Sequence, residues 1–440
     1  MTSLHIYLGI YSILLISVAY YLTRKSSDED FLIGGRNRSS FSILASKFAG
    51  AVGISTFITF TGFAYAFGTG IFWLVGGLLI GYLLFAFWAS PRVKQLSLAG
   101  KFYTFGDMSS FVTGNITTGK LTNGITVFVD FFGVLLSLVG GAKVIAYFGI
   151  MDYENAVIFT SFIILCYVLL SGFNAVILTD VIQAFIILFL LGFTVYNILR
   201  TDSYTDILNK ANYELPAGSL VAFIIYGCLS VFGMADRYQL CYAGKSEKAV
   251  KKGMALSILP ILIVAFLLLF IGLKAYTINS NLDAGDAFTF IISKEVSVEI
   301  LPVFLIMLFA GLMSTADSSI FAISSHLINS TSKVSKVKQI RITTILIIIA
   351  AASISFLWQD IVNITLVGSG MRIILAIPTI YILLKKKNPY RYIGSAIGGV
   401  FGVIIGIIAF GISPKITLPI LLGSLLGLIF KKPIITSKVI

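Results

Sequence analysis

Three stretches of the sequence place glycine, hydroxyl and carboxylate residues inside otherwise apolar runs, and each has a donor set suited to a hard cation. The first lies within 305–325. Gly311, Ser314, Thr315 and Ser318 are spaced by three or four residues, so they share one helical face, with Asp317 close to it. Hydroxyls, carbonyls and a carboxylate suit an ion such as sodium; this face has neither the thiolates nor the imidazoles of a soft-metal site. A seam of interhelical hydrogen bonds is the other reading, and the carboxylate in the same turn favours the ion. The second stretch, Phe48–Phe57, reads Phe-Ala-Gly-Ala-Val-Gly-Ile-Ser-Thr-Phe. Gly50 and Gly53 lower helix propensity at mid-span. A helix that unwinds there frees carbonyls for a cation, whereas small residues that stay helical only permit tight packing. The third stretch is Ile177–Gln183, with Thr179, Asp180 and Gln183 in an apolar helix. It reads as an ion site or as an interfacial cap. Further charges inside apolar runs are Lys47, Asp130, Lys143 and Arg372. Lys47 and Lys143 can snorkel to an interface. Arg372 either meets a solute carboxylate or pairs internally with an acid such as Asp130. Internal pairing or snorkelling is the favoured expectation.

The elements that must position these residues are membrane helices. Of 440 residues, 58% are hydrophobic and only 12% charged, and mean hydropathy is +0.98. A soluble chain carries about a quarter charged residues. Apolar runs long enough to span a hydrocarbon core recur from end to end. The fold class expected is an all-α integral membrane protein with about thirteen transmembrane helices, at 4–22, 41–65, 70–90, 121–149, 155–173, 176–199, 218–236, 253–275, 299–327, 341–358, 361–384, 392–412 and 415–430. The whole chain, 1–440, reads as a single membrane domain. The first run lacks a basic lead and a small-residue cleavage site, so it reads as a retained span.

Basic residues sort by side. With simple alternation, 24 Lys and Arg fall in the loops of one side, among them Arg36, Arg38, Lys94, Arg237, Lys245 and Lys385, and 5 fall on the other. Cytoplasmic loops hold such an excess, which puts the N-terminus outside and the C-terminus inside a plasma (cell) membrane. The net charge of +13 is then mostly a topology signal, and nucleic acid is excluded as a partner. Cys166, Cys228 and Cys241 show no paired spacing, and His5 and His326 stand far apart, so neither a disulfide framework nor a zinc site is indicated. With no nucleophile–histidine pair and no phosphate-binding loop, the chain does not read as an enzyme.

In this order the motifs resemble the sodium:solute symporter family. The resemblance rests on Asp30-Phe-Leu-Ile-Gly-Gly-Arg36, the Ala49-Gly-Ala-Val-Gly-Ile-Ser55 stretch, Phe173-Asn-Ala-Val-Ile-Leu-Thr-Asp-Val-Ile-Gln183, Ala243-Gly-Lys-Ser-Glu-Lys-Ala249 and Leu312-Met-Ser-Thr-Ala-Asp-Ser318. Each motif is weak alone; the ordered set is specific, and it thins after about residue 385. The resemblance implies a five-plus-five inverted-repeat core. Its repeats would lie near 41–199 and 218–384, with 4–22 and 392–430 peripheral. It implies sodium-coupled symport of a small solute by alternating access. One Na+ site would use carbonyls of Ala51, Ile54 and Gly311 with the hydroxyls of Ser314 and Thr315. A second sodium or proton site would use Asp180 with Ser314, Asp317 and Ser318; Asp317 is an acidic departure where the family often has a hydroxyl. Solute contacts are expected from Ser55, Thr56, Phe57, Tyr226 and Ser230. The partners implied are sodium ions, the lipid bilayer and a small solute such as an amino acid, sugar or organic acid. A proton-coupled symporter and a non-transporting sensor are the alternatives, and no oligomeric state is indicated.

Overall fold

A computed structural model describes residues 36–430 apart from 171–172, 212–214, 298 and 328–335, together with Gly9, Ile13 and Ser17. The expected first span and the last ten residues lie largely or wholly outside that description. So do the side chains of Ile54, Ser55, Ser314 and residues 173–184.

Eighteen α-helices follow in order, and no strand occurs among the described residues. They are α1 Ser40–Ala51, α2 Ile54–Phe67, α3 Phe72–Leu84, α4 Ser90–Ala99, α5 Phe105–Thr113 and α6 Ile116–Tyr147. Next come α7 Tyr153–Leu170, α8 Phe173–Thr201, α9 Tyr204–Lys210, α10 Ala217–Ser230, α11 Ala235–Ala243 and α12 Glu247–Ile278. The last six are α13 Ala287–Glu295, α14 Leu301–Leu327, α15 Lys336–Leu357, α16 Ile361–Leu383, α17 Pro389–Phe410 and α18 Thr417–Gly427.

Helix starts carry side-chain caps that satisfy orphan backbone N–H groups. Thr104 and Asp107 form a reciprocal capping box at α5. Asn115, Ser246, Asp360 and Asn388 cap α6, α12, α16 and α17. Among the described residues, six helical segments are long and apolar enough to cross a bilayer, or seven when the bent pair α10–α11 counts as one. One of them, Thr56–Ala99, covers 44 residues. That is about 66 Å of helix, twice the hydrocarbon thickness. Gly68, at φ +55° and ψ −147°, ends α2 inside it, so the segment holds two spans. The expected number of thirteen is therefore not reached by continuous helices alone.

Burial ranks the helices. For α6 and α16, 72% of the apolar window is buried, against 33% for α15 and α17. The first two form the centre, with α14 packed along α6, while α15 and α17 turn Leu346, Ile349, Phe401 and Ile408 outward. Exposed apolar side chains of this kind are what a lipid-facing surface requires. Close approach of α3 to α10 needs glycine: a Cβ on Gly227 would lie 2.6 Å from the Leu78 nitrogen, and one on Gly77 would meet the Ile224 backbone.

Loops expected on one side do meet. The Arg38 amide donates to the Ala243 carbonyl at 3.0 Å, the Lys245 amide to the Arg38 carbonyl at 2.9 Å, and Lys94 Nζ to the Tyr242 carbonyl at 3.1 Å. On the opposite side Lys143 pairs with Asp283 at 2.8 Å and Lys274 with Asp202 at 2.5 Å. Lys143 and Lys274 thus sit at span ends in ion pairs. The Lys274 hydrogen bond holds the Asp202 carboxyl below its ordinary value. The stabilisation is present above the unfolded value of about 3.9 and lost as the pH falls through the folded one. The Tm difference between the unmodified protein and Lys274→Met should therefore narrow on acidification below about pH 4. A constant difference from pH 7 to pH 3 in a thermal-unfolding series would show that the pair contributes nothing.

Candidate functional site

The helix expected to unwind does so. α1 ends at Ala51; Val52 (φ −119°, ψ 67°) and Gly53 (φ −113°, ψ 176°) are non-helical; α2 begins at Ile54. The break takes the carbonyls at the end of α1 out of the helical ladder. That of Ala51 accepts from Thr56 Oγ1 at 2.9 Å, and its second lone pair stays available. Gly53 is required by contact rather than by its φ. A Cβ there would run into Thr315 Oγ1 and lie 2.9 Å from the Gly311 carbonyl oxygen. The break therefore abuts the Gly311–Thr315 turn of α14, where Thr315 Oγ1 donates to the Gly311 carbonyl at 3.1 Å. Gly53 of the break thus packs on a carbonyl and a hydroxyl of α14, hard oxygens of the kind suited to sodium. Among the described residues no cluster of three His, Cys, Asp or Glu side chains could hold a metal.

Of the expected sodium ligands, Gly311 and Thr315 abut the break at Gly53, Ala51 ends α1 there, and Ile54 opens α2. The Ser314 side chain lies outside the described residues. For the second site, Asp317 is 1% exposed and accepts from Ser318 Oγ at 3.4 Å. The Asp180 side chain lies outside the described residues, so its distance from this pair is not defined.

Next to the break is a cavity of about 230 Å³. Of the expected solute contacts, Thr56, Tyr226 and Ser230 line it, as do Ala51, Thr315 and Ser318. Phe57 does not: it is fully buried and stacks on Phe288 of α13, ring centroids 5.7 Å apart. Ser55 falls outside the described side chains. Thr365 of α16, to which sequence reasoning assigned no role, ties the walls together. Its hydroxyl lies 2.9 Å from that of Thr59, and its carbonyl accepts from the Tyr226 hydroxyl at 3.5 Å.

A second interruption shapes the opposite wall. α10 ends in a 3-10 turn over Val231–Gly233, and α11 leaves at 44°. A Cβ on Gly233 would meet the Arg372 backbone of α16. This bend corrects two expectations. Arg237, expected in a basic loop, is 2% exposed and lines the cavity. Its Nη1 donates to the Val231 carbonyl at 2.5 Å and its guanidinium covers the Tyr82 ring at 4.9 Å. Lys47, expected to snorkel, is 1% exposed and pairs with Asp236 at 2.9 Å. Both follow from α11 folding into the body, which a span count treats as loop. Arg372 and Asp130 also face the cavity, and the expected ion pair between them is not formed.

A broken helix against an oxygen-lined face, beside a cavity walled by apolar helices, is the arrangement of a secondary transporter of the inverted-repeat type. The model of the Sodium:solute symporter family matches residues 31–412, and the chain belongs to that family, whose members are transporters and not enzymes. Relatives include a sodium/pantothenate symporter of Haemophilus influenzae, 24% identical over 72% of this chain and 69% of that one. A sodium/proline symporter of Staphylococcus aureus strain Newman is 23% identical over 73% and 67%. In architecture the chain is similar to a Na+-coupled sialic acid symporter in a substrate-bound outward-open state. The TM-score is 0.73 at 17% identity, covering 97% of this chain and 98% of that one.

Gly53 and Gly50 separate packing from propensity. Gly53→Ala should abolish sodium-dependent thermal stabilisation of the purified protein, because the backbone of α14 cannot give way cheaply. Gly50→Ala should retain it, since a Cβ there meets nothing within 4 Å. Equal behaviour of the two variants would refute the contact argument.

Proposed function

We propose that the protein imports a small solute by sodium-coupled symport across the cell membrane through alternating access. The observation that carries the reading is the fit of the unwound Val52–Gly53 segment to Gly311 and Thr315 at the edge of the cavity. Sodium bound between them would hold the two helices together and favour the outward-open form. Solute would then permit closure and inward opening. Coupling requires that each ligand prefer one state. Ala51, Ile54, Gly311, Ser314 and Thr315 are the proposed first site. Asp180, Asp317 and Ser318 are the proposed second, for sodium or, given the buried Asp317 carboxylate, a proton. The repeats are proposed at 41–199 and 218–384, each opening with an interrupted helix. Pantothenate and proline, named for the relatives, are both small carboxylates, and a cavity of this size suits a solute of that scale.

Thr315→Ala removes one hydroxyl ligand. It should raise the sodium concentration for half-maximal thermal stabilisation by roughly tenfold, about 1.4 kcal/mol. An unchanged sodium midpoint, measured against potassium as control, would sink the site. Orientation is testable apart from transport. In a variant lacking Cys166, Cys228 and Cys241, a cysteine at Ser246 should react with impermeant thiol reagents only from the cytoplasmic side, and one at Asn281 only from outside. The reverse labelling would invert the proposed topology.

A further inference from the structure

Five charged side chains line the cavity: Lys47, Asp130, Asp236, Arg237 and Arg372. Three are already committed. Lys47 and Asp236 neutralise each other at 2.9 Å. Arg237 is held by the Val231 carbonyl, the Tyr82 hydroxyl at 3.2 Å and the Tyr82 ring. Asp130 and Arg372 are left. Neither makes a hydrogen bond or an ion pair among the described residues, and Asp130 Oδ2 and Arg372 Nε are buried without a partner. They come from neighbouring central helices. One turn before Arg372, Gly368 brings α16 so close to α6 that a Cβ there would lie 2.6 Å from Phe132 Cβ, two residues after Asp130. Arg372 and Asp130 line the same cavity without forming an ion pair with each other. A buried carboxylate oxygen and a buried guanidinium nitrogen left unpaired are costly, and the cost is relieved when each group meets an opposite charge.

We propose that Asp130 and Arg372 are the two ends of the solute site, and that the solute is a zwitterion of the amino-acid class. Its carboxylate meets the Arg372 guanidinium, whose planar fork suits bidentate carboxylate recognition. Its ammonium meets Asp130. A simple organic acid would leave Asp130 unpaired and an amine would leave Arg372 unpaired, so each is rejected by the end it cannot satisfy. Neutral sugars satisfy neither. The inference rests on the symport reading for its cavity but not for its ion.

The test uses the full-length purified protein with sodium present. Pooled proteinogenic amino acids, their decarboxylated amines, the matching 2-hydroxy acids and neutral hexoses are compared by thermal shift and then by binding. At least one amino acid should bind, with its amine and 2-hydroxy analogues at least about 30-fold weaker. Asp130→Asn and Arg372→Gln should each weaken it by a similar factor while keeping sodium-dependent stabilisation, which reports that the variants fold. Binding confined to hexoses, amines or 2-hydroxy acids, or to no pool, overturns the proposal. So does undiminished amino-acid binding in either variant. Amino-acid binding with no sodium effect would support this site and overturn the sodium coupling instead.

Discussion

A backbone carbonyl released from its helix at mid-membrane has no water to turn to, and this constraint organises the molecule. The two unwound residues at Val52 and Gly53 are tolerable only because α14 presses its Gly311–Thr315 turn against them. That contact needs a residue without a side chain at 53 and polar oxygens opposite. It also needs a central position, walled by α6, α14 and α16, so that no lipid reaches the gap. In the proposed reading a sodium ion occupies this gap, replacing the missing donors with one positive charge.

The same break also borders the cavity. Ala51 and Thr56 stand on its two sides, joined by a hydrogen bond, and both face the cavity. Whatever shifts α1 against α2 therefore changes the shape of the solute site, with no relay between distant parts. The opposite wall repeats the device at Gly233, where a bend carries Asp236 and Arg237 inward. Each interrupted helix is clamped to a continuous one: α1–α2 to α14, and α10–α11 to α16. Broken and rigid elements thus share one face at the edge of the cavity.

Buried charge is handled by pairing. Lys47 with Asp236, and Arg237 with a carbonyl and an aromatic ring, offset desolvation locally and fix the cavity walls. Such compensation makes the absence of a partner among the described residues for Asp130 Oδ2 and Arg372 Nε informative, since both line the same cavity.

Local pattern alone determined the membrane class and singled out the two stretches where a helical break and an oxygen face could lie. Hydropathy, helix-breaking glycines and three- or four-residue spacing are properties of neighbours in the chain. The family resemblance added that Gly53's stretch and Thr315 belong to one site, although 261 residues separate Gly53 from its nearest contact in α14 by number alone. Tertiary structure decided what local pattern could not carry. It placed Arg237 and Lys47 in the interior rather than in loops or at an interface, because a bend at Gly233 reverses what distance from a span implies. It turned Phe57 onto Phe288 and away from the cavity, because helix rotation is set by packing. It left Arg372 and Asp130 without an ion pair although α6 and α16 pack closely, because pairing depends on where the two side chains point, which a sequence does not state.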